Sequence, residues 1–235
     1  IGFVGNHVDR CVFNKTINGK QCTLVLYVDD ILLTCEDQSA IDSTIGLIQA
    51  EYPETRVTHG PIVPYLGMNI DMSVHGEARI TMLQQVTDIV NTSGVEGTAP
   101  TPAATTLFDT DPDLAIACKE EQDWFHQFVA KILYVGKRTK PECLITVAYL
   151  ATRVGKANEE DMGKLRRLIR YMRGTLDRGI CLRPGPMGAS VRNFVDAAYG
   201  VHPDGKSHTG TCIMIGEAGP VHVRSNKQSI VTKSS

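Results

Sequence analysis

The sequence predicts an α+β protein, and three features of its hydrophobic pattern indicate this class. Short apolar runs bounded by turn residues occupy the first part of the chain and lead into a helical pattern over residues 39–51. Two amphipathic helical patterns follow, over residues 120–137 and 159–174. Short β-rich runs separated by glycines return over residues 191–235. The order of strands followed by a helix in the first part of the chain suits an α+β fold.

Charge is distributed unevenly along the 235 residues, although the net charge is only −2. Residues 29–130 hold 17 acidic and 3 basic side chains, whereas residues 131–183 hold 5 acidic and 13 basic ones. Nucleic-acid affinity depends on local basic surface, so residues 131–183 are the segment predicted to contact a phosphate backbone. A hydrophobic content of 42% is enough for one large domain or two small ones.

Cysteine and histidine patterns argue against two further classes of protein. The seven cysteines show neither CxxC nor Cys/His ligand spacing, and their odd number argues against a complete disulfide framework. We expect reduced thiols in an intracellular setting. The seven histidines form no HxxxH or HExxH pattern, which argues against zinc. The chain shows no signal peptide or membrane-spanning run, and a start at Ile1 predicts an internal fragment.

The stretch TLVLYVDDILLT, residues 23–34, places Asp29 and Asp30 between two short apolar runs. These runs predict a β-hairpin with both aspartates at its tip. Asp-Asp suits a two-residue turn poorly and sets two like charges side by side, so a compensating cation is expected. Mg²⁺ takes carboxylate oxygens and is shared with substrate phosphates, which indicates phosphoryl transfer. An exposed acidic turn that serves solubility is the alternative for an isolated Asp pair.

Tyr27, Val28, Asp29 and Asp30 resemble the YVDD box of reverse transcriptases, and LVLYVDDILLT resembles its Ty1/copia retrotransposon form. The resemblance implies that Asp29 and Asp30 are catalytic and bind Mg²⁺ or Mn²⁺. It also implies that an RNA template, a DNA primer and a dNTP are partners, with Tyr27 and Val28 packing beneath the template–primer. A third carboxylate is expected upstream of the chain, since Asp9 matches a different block of the family.

Residues 1–97 are predicted to be the remainder of a polymerase palm. Strands over residues 10–15 and 21–28 flank an Asn-Gly turn, and the helix over residues 39–51, capped by Ser39 or Asp42, is expected to cover the sheet.

Further along the palm segment, two strands are predicted to meet around residues 74–77. Tyr65 and Gly67 belong to a YLGM segment that resembles the lead into the primer-contacting hairpin of the family, which implies nucleic-acid binding. The alternation of Leu66, Met68 and Ile70 is also that of an ordinary strand.

Residues 98–183 are predicted to form a helical thumb or connection region. A Thr- and Pro-rich loop over residues 97–113 is expected to precede its helices. Pro141 should break the first helix, and RTKPE resembles the family's TRPDI. LRRLIRYMRGT, within the helix over residues 159–174, resembles ILRYLRGT. One face of this helix is predicted to be buried, and the other carries Arg166, Arg170 and Arg173. That second face is either solvated or bound to phosphates.

Residues 184–235 are predicted to begin a ribonuclease H-like domain of three antiparallel strands. FVDAAYG resembles the family's YVDADYAG, which implies that Asp196 is its first metal-binding carboxylate. Blocks at residues 207–210 and 227–235 resemble the segments that follow. The remaining carboxylates of that site are expected beyond Ser235.

The resulting prediction is an α+β fragment with a partial reverse transcriptase palm and thumb/connection, followed by an incomplete ribonuclease H-like sheet. The parent would be an RNA-directed DNA polymerase within a Pol polyprotein, located in cytoplasmic particles and the nucleus by family analogy, and not in a membrane. The isolated chain is expected to be inactive. One alternative is a non-catalytic nucleic-acid-binding remnant of a decayed or domesticated element, and another is a ribonuclease H-type nuclease.

Overall fold

The computed structural model of the protein describes residues 1–185 and 190–231. The chain divides into two compact units, Ile1–Leu66 and Gly67–Ser235. Five α-helices and antiparallel sheets make up the described parts, so the predicted α+β class is confirmed. Residues 186–189 and 232–235, which belong to the region predicted to be ribonuclease H-like, lie outside the described residues.

The first unit is built on a four-stranded antiparallel sheet. Its strands run in the order β1 (Val4–Gly5), β2 (Val12–Ile17), β3 (Lys20–Tyr27) and β4 (Asp30–Thr34). Asn18 and Gly19 both have positive φ, at 51° and 75°, and they form the predicted turn between β2 and β3. A further strand, β5 (Ile62–Tyr65), lies near the end of the unit.

One helix, α1 (Gln38–Glu51), follows the sheet, and its start differs from the prediction. The N-cap is Asp37, whose backbone is extended and whose Oδ1 accepts from the Ser39 amide at 2.9 Å. The predicted caps, Ser39 and Asp42, are therefore wrong, because an acidic residue two positions earlier already satisfies the first free amide.

The second unit begins with a β-hairpin followed by a helix. Strands β6 (Met68–Asp71) and β7 (Ala78–Thr81) pair antiparallel around the predicted turn. Helix α2 (Leu83–Thr92) comes next. The predicted strand alternation through Leu66 is wrong, since Leu66 and Gly67 have φ of 50° and 76° and lie between β5 and β6. Positive φ at consecutive residues ends a strand.

Three helices supply most of the interior of the second unit. They are α3 (Lys119–Gly136), α4 (Leu144–Ala151) and α5 (Glu159–Arg173), with a 3₁₀ turn over Pro141–Cys143 before α4. As predicted, residues 97–113 lack helix and strand. The predicted apolar face of α5 is buried, and its residues Leu165, Leu168, Ile169 and Met172 are all at 0% exposure. Of the basic residues predicted on the other face, Arg170 is exposed, whereas Arg166 and Arg173 are half-buried.

Two sheets complete the second unit. Strand β8 (Ile180–Leu182), which was not predicted, pairs with β7. The three predicted antiparallel strands are present as β9 (Val191–Ala198), β10 (His208–Ile215) and β11 (Pro220–Lys227). They form one sheet in the order β11-β10-β9. Within the described ranges, no helix has the length and apolar character needed to cross a bilayer.

Candidate functional site

The β3–β4 hairpin presents the aspartate pair, although its tip is one residue earlier than predicted. Tyr27 pairs with Asp30, so Val28 and Asp29 form the two-residue turn and Asp30 begins β4. The prediction that both aspartates lie in the turn is therefore wrong for Asp30. The register is fixed further down, where Leu24 pairs with Leu33, and a two-residue loop then leaves no freedom at the tip.

Val28 has an unusual backbone conformation. Its φ is +56°, and Asp29 after it does not have positive φ. Positive φ at the first central residue alone is the pattern of a type II′ turn, in which glycine normally holds this position. A β-branched side chain in the left-handed region is strained, and such strain persists only where the surrounding structure enforces it. The tip of the hairpin is therefore held in a costly conformation.

The residues of the tip are all open to solvent. Tyr27 is 54% exposed and Val28 is 84% exposed, and Asp29 and Asp30 are also exposed. Within residues 1–66, all of which are described, neither carboxylate has a hydrogen-bond or ion-pair partner. Two adjacent carboxylates with unused oxygens fit the ligand preference of Mg²⁺. The donor set of the tip therefore suits the predicted ion.

Tyr65 is close enough to Asp30 for the two groups to interact electrostatically. Burial raises the pKa of the Tyr65 hydroxyl, and the charge of Asp30 raises this pKa further. The hydroxyl is buried without a hydrogen-bond partner among the described residues. The structure thus brings one predicted nucleic-acid-binding residue, Tyr65, near the predicted catalytic pair.

We expect Val28→Asn to stabilise the protein by about 1 kcal/mol, because asparagine tolerates the left-handed conformation far better than valine. The midpoint of urea unfolding measures this change. Val4→Asn is the matched control, since Val4 is also exposed, at 70%, but lies in an extended strand. The control should not gain stability. Equal losses in both variants would show that the tip carries no strain.

Gly67 lies in a turn where a side chain would be costly. Its φ is +76°, and a Cβ at this position would come within 2.6 Å of the Gln85 side-chain amide nitrogen. The glycine is thus explained by its backbone conformation, because the Gln85 amide is the far end of a flexible side chain and can move aside. Its predicted contact with nucleic acid stays a prediction.

The three predicted arginines of α5 bind neighbouring parts of the protein. Arg166 forms an ion pair with Glu159 at 2.6 Å, and Arg170 donates from Nε to the Glu96 carbonyl at 2.9 Å. Arg173 donates to the Val95 carbonyl at 2.6 Å. Glu159 lies on α5 itself, whereas the contacts of Arg170 and Arg173 fasten the segment after α2 to this helix. Arg170 is exposed, so part of its guanidinium group remains open to a phosphate.

Lys140 stands where the TRPDI block of the family has arginine, and it has a structural role that the sequence did not reveal. Its side chain is fully buried, and Nζ donates to the Thr175 carbonyl at 2.6 Å and to its hydroxyl at 3.1 Å. Burial lowers the pKa of this amine, and the nearby Glu142 opposes that shift. Lys140 therefore joins the 3₁₀ turn to the segment after α5.

Asp196 lies on β9 opposite Gly210 of β10, with its side chain exposed. Its Oδ1 accepts from the Ala197 amide at 2.9 Å. It lines a groove of about 450 Å³ that also contains Glu142 and Ser225. Across residues 1–185 and 190–231, no cluster of three or more histidine, cysteine or acidic side chains could hold a metal ion. The predicted metal role of Asp196 stays a prediction.

Comparison with known proteins relates the chain to transposon proteins. The retrovirus-related Pol polyprotein from transposon RE1 of Arabidopsis thaliana is 24% identical over 239 residues, which cover 100% of this chain and 16% of the polyprotein. The chain is related to retrotransposon Pol polyproteins. The predicted resemblance to Ty1/copia-type Pol proteins is thereby confirmed, and this Pol-related chain spans only a small part of such a polyprotein.

Two shorter relatives match this Pol-related chain over most of their own length. An uncharacterized mitochondrial protein of Arabidopsis thaliana is 25% identical over 215 residues, which cover 90% of the chain and 86% of that protein. A putative transposon Ty5-1 protein of Saccharomyces cerevisiae is 21% identical over 97% of the chain and 73% of its own length. No protein-family model and no solved structure matches the chain.

Proposed function

We propose that the chain is part of a Ty1/copia-type reverse transcriptase, in which Asp29 and Asp30 are catalytic carboxylates. The observation that carries the proposal is the pair of exposed, unpartnered carboxylates at a strained hairpin tip, in a chain related to Pol polyproteins. Strained backbone clusters at functional sites, and two free carboxylates together suit a divalent cation.

In the parent polymerase, Asp29 and Asp30 would hold Mg²⁺, which supplies charge neutralisation on the phosphates of an incoming dNTP. Because the strand register fixes the backbone of Asp29 and Asp30, little backbone reorganisation would be needed when the substrate binds. Tyr27 and Val28 expose apolar surface beside them, and this surface would pack beneath the template–primer. Catalysis by this site rests on positioning and electrostatics.

The chain alone is proposed to bind a duplex without extending a primer. The family requires a third carboxylate at the polymerase site, and Asp29 and Asp30 supply only two. The basic segment over residues 131–183 is the proposed source of affinity, with Arg170 its exposed member on α5. An RNA template, a DNA primer and a dNTP remain proposed partners of the parent polymerase.

We expect no primer extension on a poly(rA)/oligo(dT) substrate with Mg²⁺, but salt-sensitive binding of that duplex measured by fluorescence anisotropy. Asp29→Asn/Asp30→Asn should bind equally well. Arg170→Gln should reduce the slope of log affinity against log salt concentration by about 1. Arg56→Gln is the control, because Arg56 is exposed but lies outside the basic segment. Its slope should stay at the wild-type value.

Metal binding at the tip can be tested without activity. Fe²⁺ can occupy Mg²⁺ sites, and with peroxide it cleaves the nearby backbone. Cleavage is expected around Asp29 in the wild type and should disappear in Asp29→Asn/Asp30→Asn. Primer extension that the double variant abolished would show that the chain contains a third carboxylate after all. Absence of both duplex binding and cleavage would overturn the proposal.

The second candidate is a non-catalytic nucleic-acid-binding remnant of an element. It is favoured by the uncharacterized mitochondrial relative, because the match covers 86% of that protein. A protein of about this length therefore exists outside a full Pol polyprotein. Duplex binding without metal-dependent cleavage at the hairpin tip would select this candidate over the polymerase fragment.

A further inference from the structure

Two thiols meet at the open end of the hairpin that carries Asp29 and Asp30. Thr23 of β3 pairs with Thr34 of β4, so Cys22 and Cys35 are the next residues opposite each other. Their sulfur atoms lie 2.7 Å apart, with the Cys22 thiol donating to the Cys35 sulfur. All seven cysteines are described, and only these two have sulfur atoms within hydrogen-bonding distance of each other.

We propose that Cys22 and Cys35 form a reversible disulfide, with a low-molecular-weight disulfide such as oxidised glutathione as the oxidant. The bond would close the open end of the β3–β4 hairpin, opposite the Val28–Asp29 turn. Directly opposed residues of antiparallel strands have the separation that a disulfide needs, and the two sulfurs must approach by only about 0.7 Å.

The two thiols differ in access, and this difference assigns their roles. Cys35 is half-buried and can meet a reagent from solution, whereas Cys22 is fully buried. Burial raises the pKa of the Cys22 thiol to about 11, and its hydrogen bond with Cys35 adds to the shift. Cys35 is therefore the thiol that attacks the oxidant, and Cys22 then reacts with Cys35 to complete the disulfide.

The reaction balances as two thiol–disulfide exchanges. The Cys35 thiolate attacks one sulfur of oxidised glutathione, and the first glutathione thiolate leaves with the electron pair of the broken bond. Cys22 then loses its proton to solvent and attacks the Cys35 sulfur of the mixed disulfide, which releases the second glutathione. The protein loses two protons and two electrons, and one glutathione disulfide becomes two glutathione thiols.

The interior of the first unit explains why such a bond would matter. In residues 1–66, every one of which is described, only four side chains are buried, namely those of Cys22, Leu24, Ala40 and Thr44. A unit of this size with so small an interior gains much from a covalent link. Linking Cys22 to Cys35 also restricts the unfolded chain across the whole hairpin.

The sequence makes the bond easy to detect. No lysine or arginine lies between Lys20 and Arg56, so trypsin releases both cysteines in one peptide that contains no other cysteine. After incubation with excess oxidised glutathione, we expect this peptide to be lighter by two hydrogen atoms and to resist alkylation. A reductant should reverse both changes. A peptide that remains doubly alkylated, or one that retains glutathione on Cys35, would overturn the proposal.

Two variants and a stability measurement complete the test. Cys35→Ala should abolish the mass change, whereas Cys11→Ser should retain it, because Cys11 is an exposed cysteine of the same unit without a sulfur contact. Oxidation should raise the melting temperature by about 5 °C or more in the wild type and in Cys11→Ser. An unchanged melting temperature of the oxidised wild type would refute the stabilising role.

The disulfide proposal rests on the hairpin geometry and is independent of the polymerase assignment. Its measurements use only the mass of one peptide and the melting temperature. A failure to bind the primer–template duplex would therefore not contradict the disulfide proposal. Likewise, a failure to form the disulfide would not contradict the proposed catalytic role of Asp29 and Asp30.

Discussion

Replacing Arg153 by methionine is expected to lower the free energy of unfolding by about 3–5 kcal/mol, because it leaves a buried carboxylate without its counter-ion. Nε of Arg153 donates to Oδ2 of Asp161 at 2.9 Å. Asp161 is fully buried, and Arg153 is only 8% exposed. The same Oδ2 accepts from the amide of Asn158, the N-cap of α5. The loss of Arg153 would therefore also weaken the start of the helix.

A double variant separates the lost attraction from the uncompensated charge. Arg153→Met/Asp161→Asn removes both charges and keeps an oxygen that can accept from the Asn158 amide. We expect it to recover most of the stability that Arg153→Met loses. Lys119→Met is the control, since Lys119 forms an exposed pair with Asp123 and should change stability little. Urea unfolding at neutral pH measures the free energy of unfolding of the single variant, the double variant and the control. Equal losses for Arg153→Met and Lys119→Met would contradict the prediction.

The elements with strong local signals were predictable from the sequence. The apolar spacing of α5 and its acidic first turn define that helix, and both features depend only on neighbouring residues. The Asn18-Gly19 turn is equally local, because these residues accept positive φ readily. By contrast, β8 is three residues long and exists only through pairing with β7, which is about a hundred residues earlier. Its sequence carries no comparable signal.

The candidate site was predictable in its residues but not in its geometry. The motif identified Asp29 and Asp30 as the site residues. Which residues form the turn depends on the strand register, and this register is set by cross-strand pairs such as Leu24 and Leu33. Likewise, helical periodicity placed Arg170 on an open face. Its bond to the Glu96 carbonyl depends on how a distant loop packs, which periodicity does not describe.

Two buried histidines predict a loss of stability in mild acid. His202 Nε2 lies 3.0 Å from His208 Nδ1, and His208 Nε2 lies 2.7 Å from the Ser225 hydroxyl. Burial lowers the pKa of His202 to about 4, with smaller contributions from the charges of His208 and Lys227, against an opposing effect of Asp204. Burial also lowers the pKa of His208. Both rings therefore remain neutral in the folded protein at neutral pH.

The direction follows from proton binding in the two states. Below pH about 6.5 the unfolded chain binds protons on these histidines, whereas the folded protein does not. The free energy of unfolding therefore decreases as the pH is lowered from about 6.5 to about 4. His202 alone accounts for roughly 3 kcal/mol of this loss.

Urea unfolding between pH 7.5 and pH 4.5 tests the expectation in a window where most carboxylates remain ionised. His202→Asn should flatten the dependence, whereas His222→Asn should not, because His222 is exposed on β11. A wild-type stability that stays constant over this window would show that the His202–His208 pair accepts a proton in the folded state. The buried hydrogen-bond chain to Ser225 would then have to accommodate a charge.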